Sequence, residues 1–112
     1  MSQYRLDRVN SLIQRELSQF FNKELEFPES ALVTITEVET NVDIDEAKIW
    51  ISVFPFGAAK KVLSFLNKKI GFCQQFLNKK LKMHFVPKIS FSLDEIENQA
   101  GEIEDLLNKI SK

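Results

Sequence analysis

The sequence has few of the residues on which covalent cross-links and phosphate-binding loops depend. Its 112 residues include one cysteine, one histidine, three glycines and three prolines. Because a single cysteine cannot close a disulfide within the chain, a cross-linked secreted scaffold is excluded. The three glycines stand far apart, which excludes a glycine-rich loop that cradles phosphates. So few glycines and prolines indicate regular secondary structure with short connections.

The lone histidine and the lone cysteine fit simpler roles than catalysis. His84 lies beside lysines near a predicted helix end, where a surface position or a phosphate contact is commoner than a general base. Cys73 lies beside an apolar helix face with no second thiol nearby, which favours structural burial. The acids around Asp43 and Asp45 lack the ligand spacing of a calcium-binding loop. We therefore expect no catalytic residue, no metal site and no cofactor, and a protein that is not an enzyme.

Long hydrophobic runs are also missing. No apolar segment reaches the length of about 18 residues that a membrane-spanning helix needs. The first residues, MSQYRLDR, lack the apolar core of a secretory signal. With 44% hydrophobic and 28% charged residues, the composition is that of an ordinary globular protein. We expect one domain over residues 1–112, located in the cytoplasm and not in a membrane.

Acidic residues are absent from one long segment, although the net charge of the chain is only −1. Residues 60–88 contain no Asp or Glu and carry eight lysines: Lys60, Lys61, Lys68, Lys69, Lys79, Lys80, Lys82 and Lys88. Residues 24–46 and 94–105 show the opposite bias, with acids and no Lys or Arg. This segregation predicts a positive face suited to a polyanion, and a solvated lysine-rich helix is the simpler alternative.

The spacing of apolar residues predicts the first elements of the fold. Apolar residues three and four apart predict an amphipathic helix over 4–23. Alternating β-branched residues then predict an antiparallel hairpin with strands over 32–42 and 46–54. A phase shift of the alternation near Glu37 indicates a bulge in the first strand.

The second half of the chain predicts a broken helix, a strand and a last helix. Residues 58–83 return to helical spacing, and we expect a break at Gly71 because a straight helix would turn Phe72 away from the apolar face. A third strand follows in VPKISFSLD, and apolar residues over 96–110 predict a terminal helix. The fold class is therefore α+β, in the order α-β-β-α-β-α with the second helix kinked at Gly71. A helical crossover makes the last two strands parallel, so the sheet is mixed, with helices on one face.

This order, with its broken helix, is that of type II KH domains, which bind RNA, but the GxxG loop of ordinary KH domains is absent. At that place the chain has Lys69-Ile70-Gly71. With Arg8-Val9, TITEVETNVDIDEAKIWISVF, LNKKLKMHFVPKISFSLDE and EIEDLL, this departure resembles the ribosome-binding factor A family over nearly the whole chain. In that family an Ala-x-Gly kink replaces the GxxG turn. Here Gly71 matches the glycine, and Lys69 stands in place of the alanine.

The resemblance implies a ribosome maturation factor for the immature small ribosomal subunit. Such a factor binds the ribosomal RNA of that subunit, assists its processing and the assembly of the subunit, and supports growth in the cold. A GTPase that acts in assembly is a further candidate partner, and we expect a monomer. The eight lysines and the backbone at Gly71 would contact RNA, with Arg5 and Arg8 as a second contact if the first helix faces the same way. Lysines favour recognition of phosphates and shape over the reading of bases.

A protein-interaction adaptor is the alternative function on the same residues. Its acidic faces would bind a basic partner, and the lysines would only give solubility. Binding to RNA phosphates weakens steeply as salt rises, which separates the two hypotheses by experiment.

Overall fold

The computed structural model describes residues 3–94. Three helices and three strands occupy this part of the chain: α1 (Gln3–Glu24), β1 (Leu32–Thr40), β2 (Glu46–Phe54), α2 (Ala59–Lys68), α3 (Ile70–Lys80) and β3 (Lys88–Leu93). Short 3-10 turns, Pro28–Ser30 and Phe56–Ala58, precede β1 and α2. The predicted fold class is confirmed. The predicted terminal helix over 96–110 lies outside the described residues.

The sheet is mixed, as predicted, with β2 at its centre. β1 pairs with β2 in antiparallel orientation, and β3 pairs with β2 in parallel orientation. The register of the antiparallel pair shifts between Ile35 and Glu37, which confirms the bulge predicted near Glu37. Because parallel neighbours cannot be joined by a tight turn, α2 and α3 form the crossover from β2 to β3.

The helices cover one face of the sheet, and the core lies between the two layers. Alternate residues of β2 are buried on that face: Ala47, Ile49, Ile51 and Val53. The stripe of α1 that meets them is Leu6, Val9, Ile13, Leu17 and Phe21. On the other face of β2, Lys48 is exposed and the side chain of Phe54 is 65% exposed. Apolar residues thus alternate in β2 and recur every three or four residues in α1 because each element buries one side against the other.

The break in the second helix falls at Lys69, not at Gly71 as predicted. Lys69 has φ −96° and ψ 3°, and its N–H lies 3.1 Å from the carbonyl oxygens of both Phe65 and Leu66. A residue inside a helix has ψ near about −40°, so Lys69 closes α2 with a tightened last turn. α3 starts directly after it and ends at Lys80, three residues before the predicted end at 83.

The apolar stripe shows why no break is needed at Gly71. Phe72, which the sequence assigned to the core side, is 60% exposed, and Cys73 takes the core position instead. The core side then keeps spacings of three and four across the break: Leu66, Ile70, Cys73 and Leu77. Cys73 is fully buried, as predicted, and burial raises the pKa of its thiol to about 11. The thiol is therefore protonated at neutral pH and unreactive.

The side chain of Gln74 joins α3 to the start of β3. Its Nε2 donates a hydrogen bond to the carbonyl oxygen of Pro87 at 3.0 Å, and its Oε1 accepts one from the N–H of Ile89 at 2.9 Å. The side chain is half-buried, so both backbone groups gain a partner where access of water is limited. One amide thus holds the returning chain against the helix.

Replacing Gln74 with alanine should lower the free energy of unfolding by about 1–3 kcal/mol, because two backbone groups are left without their partner in a half-buried position. Urea denaturation measures this change. Gln75→Ala is the matched control, since Gln75 is exposed on the same helix. The control should stay within about 0.5 kcal/mol of the parent. Equal destabilisation in the two variants would contradict the role of Gln74.

Candidate nucleic-acid interface

The eight lysines predicted to contact RNA are spread along α2, α3 and the start of β3. Seven of them are exposed, and Lys69 is half-buried. They do not share one groove: Lys69 and Lys79 lie beside the end of α1, Lys88 lies beside Gly71, and Lys82 lies near the start of α1. Four of the eight lysines thus line three different grooves.

The first surface, here named the kink surface, runs along one side of α3 from the break at Lys69 to Lys79. It consists of Phe20, Lys69, Phe72, Phe76 and Lys79, with Glu24 at its edge. The ammonium group of Lys69 lies 5.4 Å from the ring centre of Phe72 and 5.9 Å from that of Phe65, within the range of cation–π attraction. The rings of Phe20 and Phe76 pack at 4.5 Å between their centres and form its apolar floor. Lys69 and an exposed ring thus meet at the kink, and Lys79 lies on the same side of α3 near its end.

The second surface is a cleft between α3 and the start of β3, here named the Gln74 cleft. It has a volume of about 380 Å³ and is lined by Ile70, Gly71, Gln74, Asn78, Val86, Lys88 and Ile89. Gly71 is exposed, and its φ is not positive. A Cβ built on it would meet nothing within 4 Å. Neither the backbone conformation nor packing therefore requires glycine at this position, and its effect is to leave the helix backbone bare at the cleft.

Lys61 has an acidic partner that the sequence pattern did not reveal. Its Nζ lies 2.7 Å from Oε1 of Glu29, and both side chains are exposed. The hydrogen bond and the charge of Glu29 raise the pKa of Lys61. Glu29 belongs to the 3-10 turn before β1, so an acid distant in sequence neutralises one lysine of the acid-free segment. Lys60, Lys68 and Lys80 are exposed.

The third surface, here named the end groove, lies at the far end of α3 from the kink. Its basic and aromatic side chains are Tyr4, Arg5, Arg8, Lys82, His84 and Phe85. The beginning of α1 is near the end of α3, while the end of α1 contacts the kink surface, so the two helices run in opposite directions. Arg5 and Arg8 therefore join Lys82 and not Lys69. The sequence pattern treated the phenylalanines as core and did not single out Tyr4 or Phe85 for an exposed site.

The described residues also bear on metal sites and membrane spans. Within residues 3–94, no three His, Cys, Asp or Glu side chains come together in a way that could hold a metal ion. The helices of that same part of the chain include none long and apolar enough to cross a membrane.

Comparison with known proteins gives consistent matches. The family model for ribosome-binding factor A matches residues 5–107. Ribosome-binding factor A of Akkermansia muciniphila is 32% identical over 108 residues, covering 96% of this chain and 86% of the relative. That of Chlorobaculum tepidum is 37% identical over 110 residues, covering 95% and 90%.

Solved structures show the same fold. The crystal structure of ribosome-binding factor A from Thermus thermophilus has a TM-score of 0.68 and 14% identity, covering 79% of this chain and 93% of that one. A Thermus thermophilus ribosome-binding factor A homology model, fitted into the cryo-EM map of a 30S–RbfA complex, has a TM-score of 0.65 and 20% identity, with coverages of 77% and 91%. Since the family model and the relatives span most of the sequence, the chain belongs to the ribosome-binding factor A family.

Proposed function

We propose that this protein is a non-enzymatic maturation factor that binds the immature small ribosomal subunit through its ribosomal RNA. In this proposal the kink surface and the Gln74 cleft contact the RNA, and binding assists rRNA processing and subunit assembly in the cytoplasm. The observation that carries the proposal is that the ammonium group of Lys69 lies over the exposed ring of Phe72 at the start of α3, where Gly71 leaves the helix backbone bare. Family membership supports the choice of partner.

The chemistry of these side chains suits a folded RNA surface. Lysine ammonium groups attract phosphates without reading base edges, so they favour recognition by backbone path and shape. A glycine in the first turn of α3 lets a phosphate approach the helix more closely than any larger residue would. Lys88, on the opposite wall of the Gln74 cleft, would hold the same strand from the other side.

Further parts of the proposal rest on the fold and on the family. The element order and the mixed sheet support a KH-like domain without a GxxG loop, and the single hydrophobic cluster of the described residues supports one domain. We also propose that the protein acts as a monomer, that a GTPase active in assembly is a second partner, and that the factor matters most for growth in the cold.

Reversing the charge of the kink surface should abolish binding to immature small subunits while the fold persists. In the variant Lys69→Glu, Lys79→Glu, the substitution of the exposed Lys79 should change stability by no more than about 0.5 kcal/mol. The substitution of the half-buried Lys69 should cost about 1 kcal/mol more, because it removes the cation from the rings of Phe65 and Phe72. The slope of log affinity against log salt should fall by about one for each phosphate that the variant no longer binds. Co-sedimentation with purified subunits over a salt series measures both effects.

The control for this experiment is Lys48→Glu, since Lys48 is exposed on the face of the sheet away from α1, α2 and α3. Its binding should stay close to that of the parent. If the folded double variant bound as well as the parent, an adaptor that uses its acidic faces would become the better hypothesis.

Gly71→Ala should raise stability and weaken subunit binding. An alanine in a helix is favoured over glycine by up to about 1 kcal/mol, and the methyl group meets open space at this position. The same methyl group would obstruct a phosphate in the Gln74 cleft. Thermal unfolding and subunit binding, measured on the same protein sample, test the expected gain in stability and the expected loss of binding.

Gly57→Ala is the matched control, because a Cβ at Gly57 also meets nothing within 4 Å and Gly57 lies outside the residues that line the cleft. Its binding should not change. A Gly71→Ala protein that is more stable and binds as tightly as the parent would remove the cleft from the proposed interface.

A further inference from the structure

The end groove places two exposed aromatic rings among basic side chains. It has a volume of about 720 Å³, and its floor is formed by apolar side chains of α1 and of the segment after α3, among them Val9, Leu12 and Met83. The side chains of Tyr4 and Phe85 are each 75% exposed. Single exposed apolar residues are common on protein surfaces, and what distinguishes this site is that two exposed rings line one groove.

Phe85 is presented by a short segment that is anchored at both ends. Leu81 is buried and donates its N–H to the carbonyl oxygen of Leu77 at 2.9 Å, and Pro87 is fully buried and bonded to Gln74. Between these anchors, the ring of His84 packs edge-on against that of Phe85, with 4.6 Å between ring centres. The ring is therefore held in place rather than carried on a long free loop.

The charge of the groove identifies the chemical class of the partner. Among the described residues that line it, Arg8 and Lys82 bring two positive charges beside that of Arg5, which has a contact of its own, and Asp43 from the turn between β1 and β2 brings one negative charge. Aromatic faces combined with an excess of positive charge are the features that bind unpaired nucleotides, whose bases stack on the rings while the cations attract the phosphates. Paired nucleotides cannot use such rings, because their base faces are already stacked inside the helix.

We propose that the end groove binds an unpaired RNA segment, with bases stacked on Tyr4 and Phe85 and phosphates held by Arg8 and Lys82. The proposal rests on the proposed function in that the RNA would be that of the small subunit. It adds a second contact of a different kind. The 11 residues of α3 separate this groove from the kink, a rise of about 16 Å at 1.5 Å per residue.

The test uses the full chain and a fluorescently labelled uridine hexanucleotide, and a labelled blunt-ended RNA duplex serves as the probe without unpaired nucleotides. Phe85→Ala and Tyr4→Ala should each weaken hexanucleotide binding about tenfold, and Phe85→Leu should do the same because it keeps bulk but removes the ring. Binding of the duplex should change less than twofold. Since both rings are exposed, these substitutions should not change the thermal unfolding of the protein. An unchanged unfolding curve therefore shows that the variants are folded.

Two controls separate stacking from general effects. Tyr4→Phe keeps the ring and should bind the hexanucleotide as the parent does. Phe54→Ala removes a ring of similar exposure on the face of the sheet away from α1, α2 and α3 and should also leave binding unchanged. No measurable hexanucleotide binding by the parent at 0.1 M salt, or equal binding by the parent and Phe85→Ala, would overturn the proposal.

A photoreactive phenylalanine analogue at position 85 identifies the occupant in the complex with small subunits. Crosslinks to unpaired ribosomal RNA support the proposal, and crosslinks to paired RNA or to a ribosomal protein overturn it. A failure of the end groove proposal can be told apart from a failure of the proposed function, because the proposed function is tested separately with the variant Lys69→Glu, Lys79→Glu. If that variant loses subunit binding while Phe85→Ala keeps hexanucleotide binding, only the end groove proposal is wrong.

Discussion

The parallel pairing of β2 with β3 is the constraint on which the rest of the structure depends. Because β3 runs parallel to β2, the chain must pass from the last residue of β2 back to the opposite end of the sheet before β3 can begin. The helices α2 and α3 make this connection across the buried face of the sheet. The place where they meet, at Lys69, is where the path changes direction. Gln74 then fixes the second helix to the strand that completes the sheet. The kink surface and the Gln74 cleft are therefore by-products of a crossover that the sheet requires.

Much of the fold could be predicted because burial leaves a period in the sequence. The stripe of α1, the alternation in β2 and the phase shift at Glu37 each record which side of an element faces the core. The position of the helix break could not be predicted in this way. The stretch from Ile70 to Cys73 offers two adjacent apolar residues, and hydrophobicity alone favours Phe72 over Cys73 for the core. The structure favours Cys73, which maintains the spacing from Leu66 to Leu77.

The candidate site was harder to predict than the fold, since it depends on contacts between distant segments. An acid-free segment indicates positive charge, but it does not show that Glu29 reaches Lys61 or that Lys82 joins Arg8. A sequence pattern that assigns aromatic residues to the core also cannot show that a particular ring is exposed. In the described part of the chain, four of the predicted lysines line three different grooves.

The contact of Lys69 with two aromatic rings has a consequence for the entropy of association. A free lysine side chain can lose about 2 kcal/mol of rotamer freedom when it becomes fixed against a ligand. The side chain of Lys69 is half-buried, and its ammonium group already lies over Phe65 and Phe72, so part of that freedom is lost on folding. The kink thereby presents a pre-organised cation. The order of the Lys69 side chain depends on two rings that carry no charge.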